Sequence, residues 1–203
     1  MPTFEIQDYA ERKDGIREIK RRETHRRITE AGIRLFLERG YDATRLDDIA
    51  EAAEISRRTF FAYFKSKDEI LRAWERRGWE EILDDLRRAS PDESPLQVIR
   101  NAFSKRLSRY NTEQLKVIAK VMSSSEALLA AKHFSVAERE RLLFEVLCEV
   151  WRQPKRRFAL RLVAMIAVGA LRVAVEMWEL PSNQRPLQSL FVETLDALKS
   201  VIS

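Results

Sequence analysis

Helix-breaking residues are scarce in this chain, and that scarcity restricts its fold more than any other feature of the sequence. Only five glycines and six prolines occur in 203 residues, so long stretches contain no residue that would end a helix. No Asn-Gly pair joins two alternating apolar runs, which would be the pattern typical of a β-hairpin. Apolar residues make up 45% of the chain, enough to bury a core. We therefore expect an all-α fold.

Residues 23–64 have the apolar spacing of three short helices, joined first by a loop and then by a tight turn. The first helix is predicted to end at Gly40, because a left-handed glycine commonly closes a helix. Thr44 is predicted to cap the second helix, and Ser56 is predicted to cap the third over residues 57–63. Two helices joined by such a tight turn form a helix-turn-helix, whose second helix faces outward.

The third predicted helix carries arginines and aromatics together in the sequence RRTFFAYF. Phe60 and Phe64 are four residues apart, so they share one face, which is predicted to pack inward. The opposite face is predicted to be exposed and consists of Arg57, Arg58, Phe61 and Ala62. Arginines at the start of an exposed helix suit the phosphates and base edges of a DNA major groove. The alternatives are a solvated helix start for the arginines and core packing for Phe61.

The beginning of the chain is rich in positive charge. The whole chain has a net charge of +5, and the stretch from Arg12 to Arg27, with eight basic and three acidic residues, carries the same net charge. Basic clusters are typical of surfaces that bind polyanions such as nucleic acids. A solvated arm explains this composition equally well, because the acids are interleaved with the bases. Both interpretations stay open for residues 1–22.

Residues 28–71 resemble the N-terminal domain of the tetracycline-repressor (TetR) family of bacterial regulators. The resemblance is carried by AGIRLFLERGYDATRLDDIAEAAEISRRTFFAYFKSKDEIL, which matches the family pattern at many positions in register. It implies that the helix over residues 57–64 is the recognition helix and that several side chains contact phosphates. The residues expected to bind DNA are Arg27, Thr44, Arg45, Arg57, Arg58, Thr59, Phe61, Ala62, Tyr63 and Lys67.

The sequence departs from the family pattern at two positions. Glu54 stands in the turn where the family usually has glycine, and a positive φ at this residue would cost roughly 1 kcal/mol. Phe61 stands where the family usually has tyrosine, so its side chain has no hydroxyl for a phosphate, whereas Tyr63 offers one nearby. These departures concern the details of DNA binding and leave the expected fold unchanged.

The resemblance and the apolar patterns together divide the chain into three parts. The expected parts are a basic N-terminal extension over 1–22, a helix-turn-helix DNA-binding domain over 23–66, and a helical ligand-binding and dimerisation domain over 67–203. The last part is predicted to begin with a connecting helix over 67–89. Ser66 and Glu69 provide the capping box of that helix.

The stretch RFALRLVAMIAVGALRVAVEMWEL is apolar nearly all round, which indicates burial on several sides. A single small domain supplies few neighbours for such a helix, so we expect a partner subunit to cover part of it. The TetR resemblance implies a homodimer formed through the last two helices, over 155–180 and 184–202. The expected dimer-interface residues are Leu171, Val175, Trp178, Leu190, Phe191, Leu195 and Leu198.

A weaker resemblance links the C-terminal part to the mycofactocin-regulator branch of the family. It is carried by RRTFFAYF and RLVAMIAVGALRVAVEMW. That branch is associated with acyl-CoA-like ligands, which implies a small apolar effector. The residues expected to line its pocket are Phe103, Leu107, Met122, Leu147, Trp151 and Met165. Apolar side chains at helical spacing belong to a core more often than to a pocket, so core packing stays open for each of them.

The residues and the resemblance together predict a ligand-responsive repressor that binds a pseudo-palindromic operator on double-stranded DNA as a homodimer. The alternative is a helical acyl-ligand-binding protein or enzyme that does not act through DNA. We expect no enzyme, cofactor or metal site, because the sequence offers no nucleophile–base pair or metal-ligand cluster and Cys148 lies on an apolar stripe. The longest uncharged apolar run, residues 162–171, is too short to span a bilayer, so we expect no membrane segment and a cytoplasmic protein.

Overall fold

The computed structural model describes the backbone of residues 3–124, 126–180 and 182–202, and the side chains of residues 15–122, 136–180 and 182–197. Within that part of the chain every regular element is a helix, which confirms the all-α prediction. The elements in chain order are α1 (Thr3–Arg39), α2 (Leu46–Ala52), α3 (Arg57–Tyr63), α4 (Lys67–Arg87), α5 (Pro95–Leu107), α6 (Thr112–Ser124), α7 (Glu126–Val150), a 3-10 helix (Pro154–Arg156), α8 (Arg157–Trp178) and α9 (Leu187–Ile202).

The helices form two compact units, Met1–Trp74 and Glu75–Ser203, and the division falls within α4. The domain boundary expected from the sequence, between residues 66 and 67, stays a prediction. Because α1 begins at Thr3, residues 3–22 of the expected N-terminal extension are continuous with the first helix of the first unit.

Four helices supply the core of the first unit. The side chains that are almost completely buried are Ile28 and Phe36 of α1, Ile49 of α2, Phe60 of α3, Phe64 just after it, and Ile70 and Leu71 of α4. Gly32 allows α1 to lie against α4, because a Cβ atom at this position would be only 2.8 Å from Cγ2 of Ile70. The periodic apolar pattern of the sequence therefore marks the faces that pack together.

The structure confirms some of the predicted helix ends and corrects others. Gly40 has a φ of 86° directly after α1, and the hydroxyl of Ser56 accepts a hydrogen bond from the backbone N–H of Thr59 (3.1 Å) at the start of α3. Thr44 is not the cap of α2, because its buried hydroxyl donates to the carbonyl of Gly40 (2.7 Å). Arg45 occupies the cap position instead, and its backbone N–H donates to the carboxylate of Asp48 (2.9 Å).

At the start of α4 the predicted capping box is formed in a shifted register. The hydroxyl of Ser66 accepts from the backbone N–H of Glu69 (3.3 Å), as a capping box requires. The carboxylate of Glu69 instead accepts from the N–H of Lys65 (2.7 Å), one residue before the cap. Both bonds satisfy backbone donors at the helix start.

The core of the second unit combines the end of α4 with side chains of α5, α7, α8 and α9. It contains an aromatic cluster in which Trp79 meets Phe103 edge-on, with ring centroids 5.5 Å apart, and Phe103 stacks on Phe191 at 5.0 Å. Trp151 is fully buried, and its indole N–H donates to the carbonyl of Glu93 (2.9 Å). This hydrogen bond ties α7 to the loop that precedes α5.

Pro154–Trp178, which comprise the 3-10 helix and α8, contain an 18-residue window with a mean hydropathy of 2.1, so by length and composition alone this stretch could cross a membrane. The window is longer than the uncharged run of residues 162–171 because it tolerates charged residues. Core helices meet the same criterion, and a third of the window is buried inside the fold.

Candidate nucleic-acid interface

The two faces of α3 differ as the sequence predicts. Phe60 and Phe64 are buried and their ring centroids lie 6.2 Å apart. The opposite face is exposed and carries Arg57, Arg58, Phe61 and Ala62, while Thr59 and Tyr63 are half-buried at its edges. The Phe61 side chain is 43% exposed, a high value for an aromatic residue in a small domain. This face combines two guanidinium groups with an apolar ring.

The two arginines of α3 differ in what holds them. The guanidinium of Arg57 pairs with the Asp47 carboxylate of α2, with Nε and Oδ1 3.3 Å apart. It also lies 5.7 Å from the ring centroid of Phe61. Arg58 has no ion pair or hydrogen bond within the described part of the chain, so its guanidinium is available to an anionic partner. Exposed pairs such as Arg57–Asp47 contribute little to stability and are easily exchanged for a phosphate.

The turn between α2 and α3 is held from α1. Glu54, which stands where the family usually has glycine, has a positive φ of 54°. The guanidinium of Arg27 donates to the carbonyl of Ala53 by a short hydrogen bond and lies 3.5 Å from the carbonyl of Glu54. Arg27 is among the residues predicted to bind DNA, and the structure places it behind the turn, where it positions α3.

The C-terminal end of α3 also packs against α1. The ring of His25 lies 4.5 Å from that of Phe64 and 6.5 Å from that of Tyr63, measured between centroids. His25 is not among the residues predicted to bind DNA or to position α3, because its contact depends on how the two helices cross. The local sequence pattern does not predict the angle at which these helices cross.

The remaining predicted DNA-binding residues surround the loop that follows α1. The Nζ of Lys67 donates to the carbonyl of Tyr41 (2.5 Å) and lies 4.3 Å from its ring centroid. The Tyr41 hydroxyl donates to the carboxylate of Asp68, and burial together with this bond raises the pKa of the phenol above its ordinary range. Thr44 is only 1% exposed, whereas Arg45 is exposed beside it. Arg45 therefore offers an accessible cation at the end of this loop, whereas the half-buried Lys67 at the start of α4 is held by Tyr41.

The residues expected to line an effector pocket do not all lie together. Phe103, Leu147 and Trp151 are in the buried core of the second unit, and Leu107 packs against that core. Met122 is buried on α6, whereas Met165 is 46% exposed on α8. The side chain of Met165 therefore points away from the aromatic cluster that contains Phe103.

The structure changes the expectation for the dimer surface. Trp178, Leu190, Phe191 and Leu195 are buried within one chain, because α8 and α9 pack on each other and on the rest of the second unit. Leu171 and Val175 are half-buried against the same core, and the side chain of Leu198 lies outside the described residues. Five exposed apolar side chains lie on the outer side of α8 and shortly after its end, namely Phe158, Leu162, Met165, Met177 and Leu180. We call these five residues the outer α8 face.

Together, the short turn, the buried aromatics and the basic outward face give α2 and α3 the geometry of a helix-turn-helix, the motif whose second helix enters a DNA major groove in proteins that use it to bind DNA. Residues 28–74 match the model of the family described as bacterial regulatory proteins, tetR family. The N-terminal part of the chain is therefore similar to the N-terminal domain of this family.

Curated relatives match only part of the chain. The HTH-type transcriptional regulator TcmR of Streptomyces glaucescens is 35% identical over 102 residues, which are 50% of this chain and 45% of that protein. The putative mycofactocin biosynthesis transcriptional regulator MftR of Mycobacterium tuberculosis is 43% identical over 51 residues, 25% of this chain and 26% of that protein. The chain thus spans less than half the length of either relative. A match of 51 residues cannot include both RRTFFAYF and the α8 sequence, so the C-terminal resemblance to this branch stays a prediction.

A solved structure extends the likeness over most of the chain. Thermus thermophilus FadR, described as a TetR-family transcriptional repressor in complex with lauroyl-CoA, has a TM-score of 0.59 and 23% identity. The likeness covers 86% of this chain and 93% of that one. At this level of identity it shows a shared fold.

Proposed function

We propose that this protein is a ligand-responsive transcriptional repressor, which acts in the cytoplasm as a homodimer on a pseudo-palindromic operator and is released by a small apolar effector. The observation that carries the proposal is the exposed basic face of α3 within a helix-turn-helix of the tetR family. The recognition helix of such a motif lies in the major groove, and a dimer places two of them roughly 34–36 Å apart.

On α3, Arg58 is the first candidate for a base or phosphate contact, because no side chain among the described residues competes for it. Arg57 exchanges its ion pair with Asp47 for a DNA contact, so the affinity it contributes is reduced by the bond it gives up. Phe61 and Ala62 supply apolar contact for a thymine methyl group or a sugar. Arg45 and Lys67 add phosphate contacts from the neighbouring loop.

The outer α8 face supports the dimer. Its side chains recur along one side of the helix, and the exposed fraction of Phe158 reaches 76%. A Cβ at Gly169, within this helix, would meet no atom within 4 Å. A second copy that covers this face would remove these apolar side chains from water, which is the usual source of stability in a two-fold interface.

An acyl chain is the effector that we favour. The second unit has a large apolar core with aromatic side chains, and the structurally similar FadR is described in complex with lauroyl-CoA. An effector of this kind releases DNA only to the extent that it binds the DNA-free conformation more tightly than the DNA-bound one.

The DNA-binding step can be tested with an operator selected from a random duplex library. We expect Arg58→Ala to weaken operator binding about tenfold or more. If its guanidinium binds a phosphate, the slope of log affinity against log salt should also become shallower by about 0.9. Arg88→Ala is the matched control, because it removes the same charge from an exposed site at the end of α4. Equal effects of the two substitutions, or operator affinity independent of salt, would refute the proposal.

The ion pair between Arg57 of α3 and Asp47 of α2 offers a second test, in which the substitution should strengthen DNA binding. Asp47→Asn removes the partner of Arg57 and one negative charge beside the recognition helix. We therefore expect tighter binding to the same operator and a steeper dependence on salt. Weaker binding with an unchanged melting temperature would mean that the Asp47 carboxylate itself takes part in recognition.

A further inference from the structure

Three tryptophans are buried in the second unit, and they differ in whether the indole N–H has a partner. Trp151 donates to a backbone carbonyl at 2.9 Å. Trp79 and Trp178 are buried as well, and within the described part of the chain neither Nε1 has a hydrogen-bond partner. A buried tryptophan N–H usually finds an acceptor, and one that does not is destabilising until an acceptor arrives.

The surroundings of Trp79 distinguish it from Trp178. The guanidinium of Arg139, from α7, lies 5.6 Å from the ring centroid of Trp79 and forms an ion pair with Glu75, one turn earlier on α4. The side chains of this pair are only 20% and 26% exposed. Phe103 meets the same indole edge-on. At Trp178 the described residues provide no comparable charge or ring contact.

An apolar cluster with a few convergent polar groups is the usual composition of a small-molecule site. We propose that Trp79 anchors the effector by donating its Nε1–H to the acyl oxygen of a fatty-acyl ligand whose chain lies against Phe103. The inference rests on the proposed function, since it concerns the effector of that regulator. To the proposed function it adds two details: the side chain that makes the polar contact with the effector, and the ligand atom that this contact requires.

The chemistry of the indole restricts the ligand. An indole N–H only donates, so its partner must be an acceptor. The guanidinium of Arg139 beside the indole is already paired with Glu75, so the N–H requires an acceptor but does not require one with a full negative charge. The carbonyl of an acyl thioester and the carboxylate of a free fatty acid both meet this requirement, and they are distinguished below.

The missing bond also gives the ligand a preference between conformations. In the conformation described here Nε1 is closed off from water, so the donor is satisfied only after a rearrangement that admits the acyl oxygen. A ligand that forms the bond therefore favours the rearranged state over this one. Removal of one such hydrogen bond corresponds to about a tenfold increase in Kd.

Trp79→Phe tests the inference because it keeps an aromatic ring and removes the N–H. Calorimetric titration of the full-length protein with sodium dodecanoate and, separately, with lauroyl-CoA measures both ligand sources. We expect the variant to bind whichever probe the wild type binds about tenfold more weakly. Trp178→Phe is the matched control, because it also removes a buried, unpaired N–H, and its affinity should stay within about twofold of the wild type.

Each outcome decides a separate point. Unchanged affinity in Trp79→Phe, or an equal decrease in Trp178→Phe, overturns the anchoring role. Failure of the wild type to bind either probe overturns the acyl class of ligand. Operator binding by the same preparations, measured by fluorescence anisotropy, then shows whether the regulatory function fails too. Binding of dodecanoate alone or of lauroyl-CoA alone identifies the source of the acyl oxygen.

Discussion

The strain at Glu54 provides a direct test of how the helix-turn-helix is built. The residue has a φ of 54°, in the left-handed region, which costs an ordinary L-residue about 1–2 kcal/mol. Glycine adopts this conformation without that penalty, but its greater freedom in the unfolded chain costs about 0.4–1 kcal/mol. We therefore expect Glu54→Gly to stabilise the protein by about 0.5–1 kcal/mol.

A second substitution separates the strain from the charge. Glu54→Ala keeps the left-handed backbone and removes only the carboxylate, which is 89% exposed and lies 3.7 Å from the guanidinium of Arg27. A pair this exposed contributes little. The hydrogen bonds of Arg27 to the carbonyls of residues 53 and 54 survive in both variants, because their acceptors are backbone atoms.

Thermal unfolding followed by circular dichroism measures the difference. For a cooperatively unfolding chain of this length, each kcal/mol shifts Tm by about 2–4 °C, so Glu54→Gly should raise Tm by about 1–4 °C. Glu54→Ala should leave Tm within about 1–2 °C of the wild type, as expected for a surface change. If the two variants shift Tm equally, the left-handed conformation is not the source of the effect and the reasoning fails.

Four further substitutions, one of them a control, test packing, capping and titration in the first unit. Gly32→Ala places a methyl group 2.8 Å from Ile70. The clash outweighs the gain in helix propensity, so the free energy of unfolding should fall by about 1 kcal/mol. Gly15→Ala is the control, because a Cβ at this position meets no atom within 4 Å, and it should not lower the free energy of unfolding. Ser56→Ala removes the α3 cap and should cost about 1 kcal/mol in urea unfolding. The pKa of Tyr41 is raised in the folded state, so the protonated phenol contributes stability below its ordinary pKa of 10.0, and this stability is lost as the pH rises above that value. Tyr41→Phe should therefore lose less stability than the wild type between neutral and alkaline pH.

Short-range patterns were sufficient to predict much of the first unit. The burial of Phe60 and Phe64 and the exposure of Phe61 follow from a spacing of four residues on a short helix. The cap at Ser56 follows from the preference of a hydroxyl for backbone N–H groups at a helix start. In each case the deciding interaction lies within one or two helical turns.

Patterns of this range could not assign roles that depend on distant contacts. Thr44 has the composition of a cap, but its hydroxyl bonds to backbone carbonyls at the end of α1, and Arg45 takes the cap position. The hydrogen bonds of Arg27 depend on the crossing of α1 with the turn, 26 residues further along the chain. The sequence of α8 is apolar nearly all round, so the core side is distinguished from the outer α8 face by its packing on α7 and α9.

The recognition helix is held from behind by contacts that leave its outward face free. Arg27 fixes the turn before α3 and His25 packs at its C-terminal end, so one stretch of α1 supports α3 at both ends. Seven residues form too short a helix to be stable alone, and the position of the α3 arginines therefore depends on α1. We therefore expect a substitution at Arg27 to change DNA affinity by displacing α3, a route that needs no phosphate contact from the Arg27 guanidinium. Such an effect leaves the salt slope of operator binding unchanged, whereas removal of a phosphate-binding side chain makes that slope shallower.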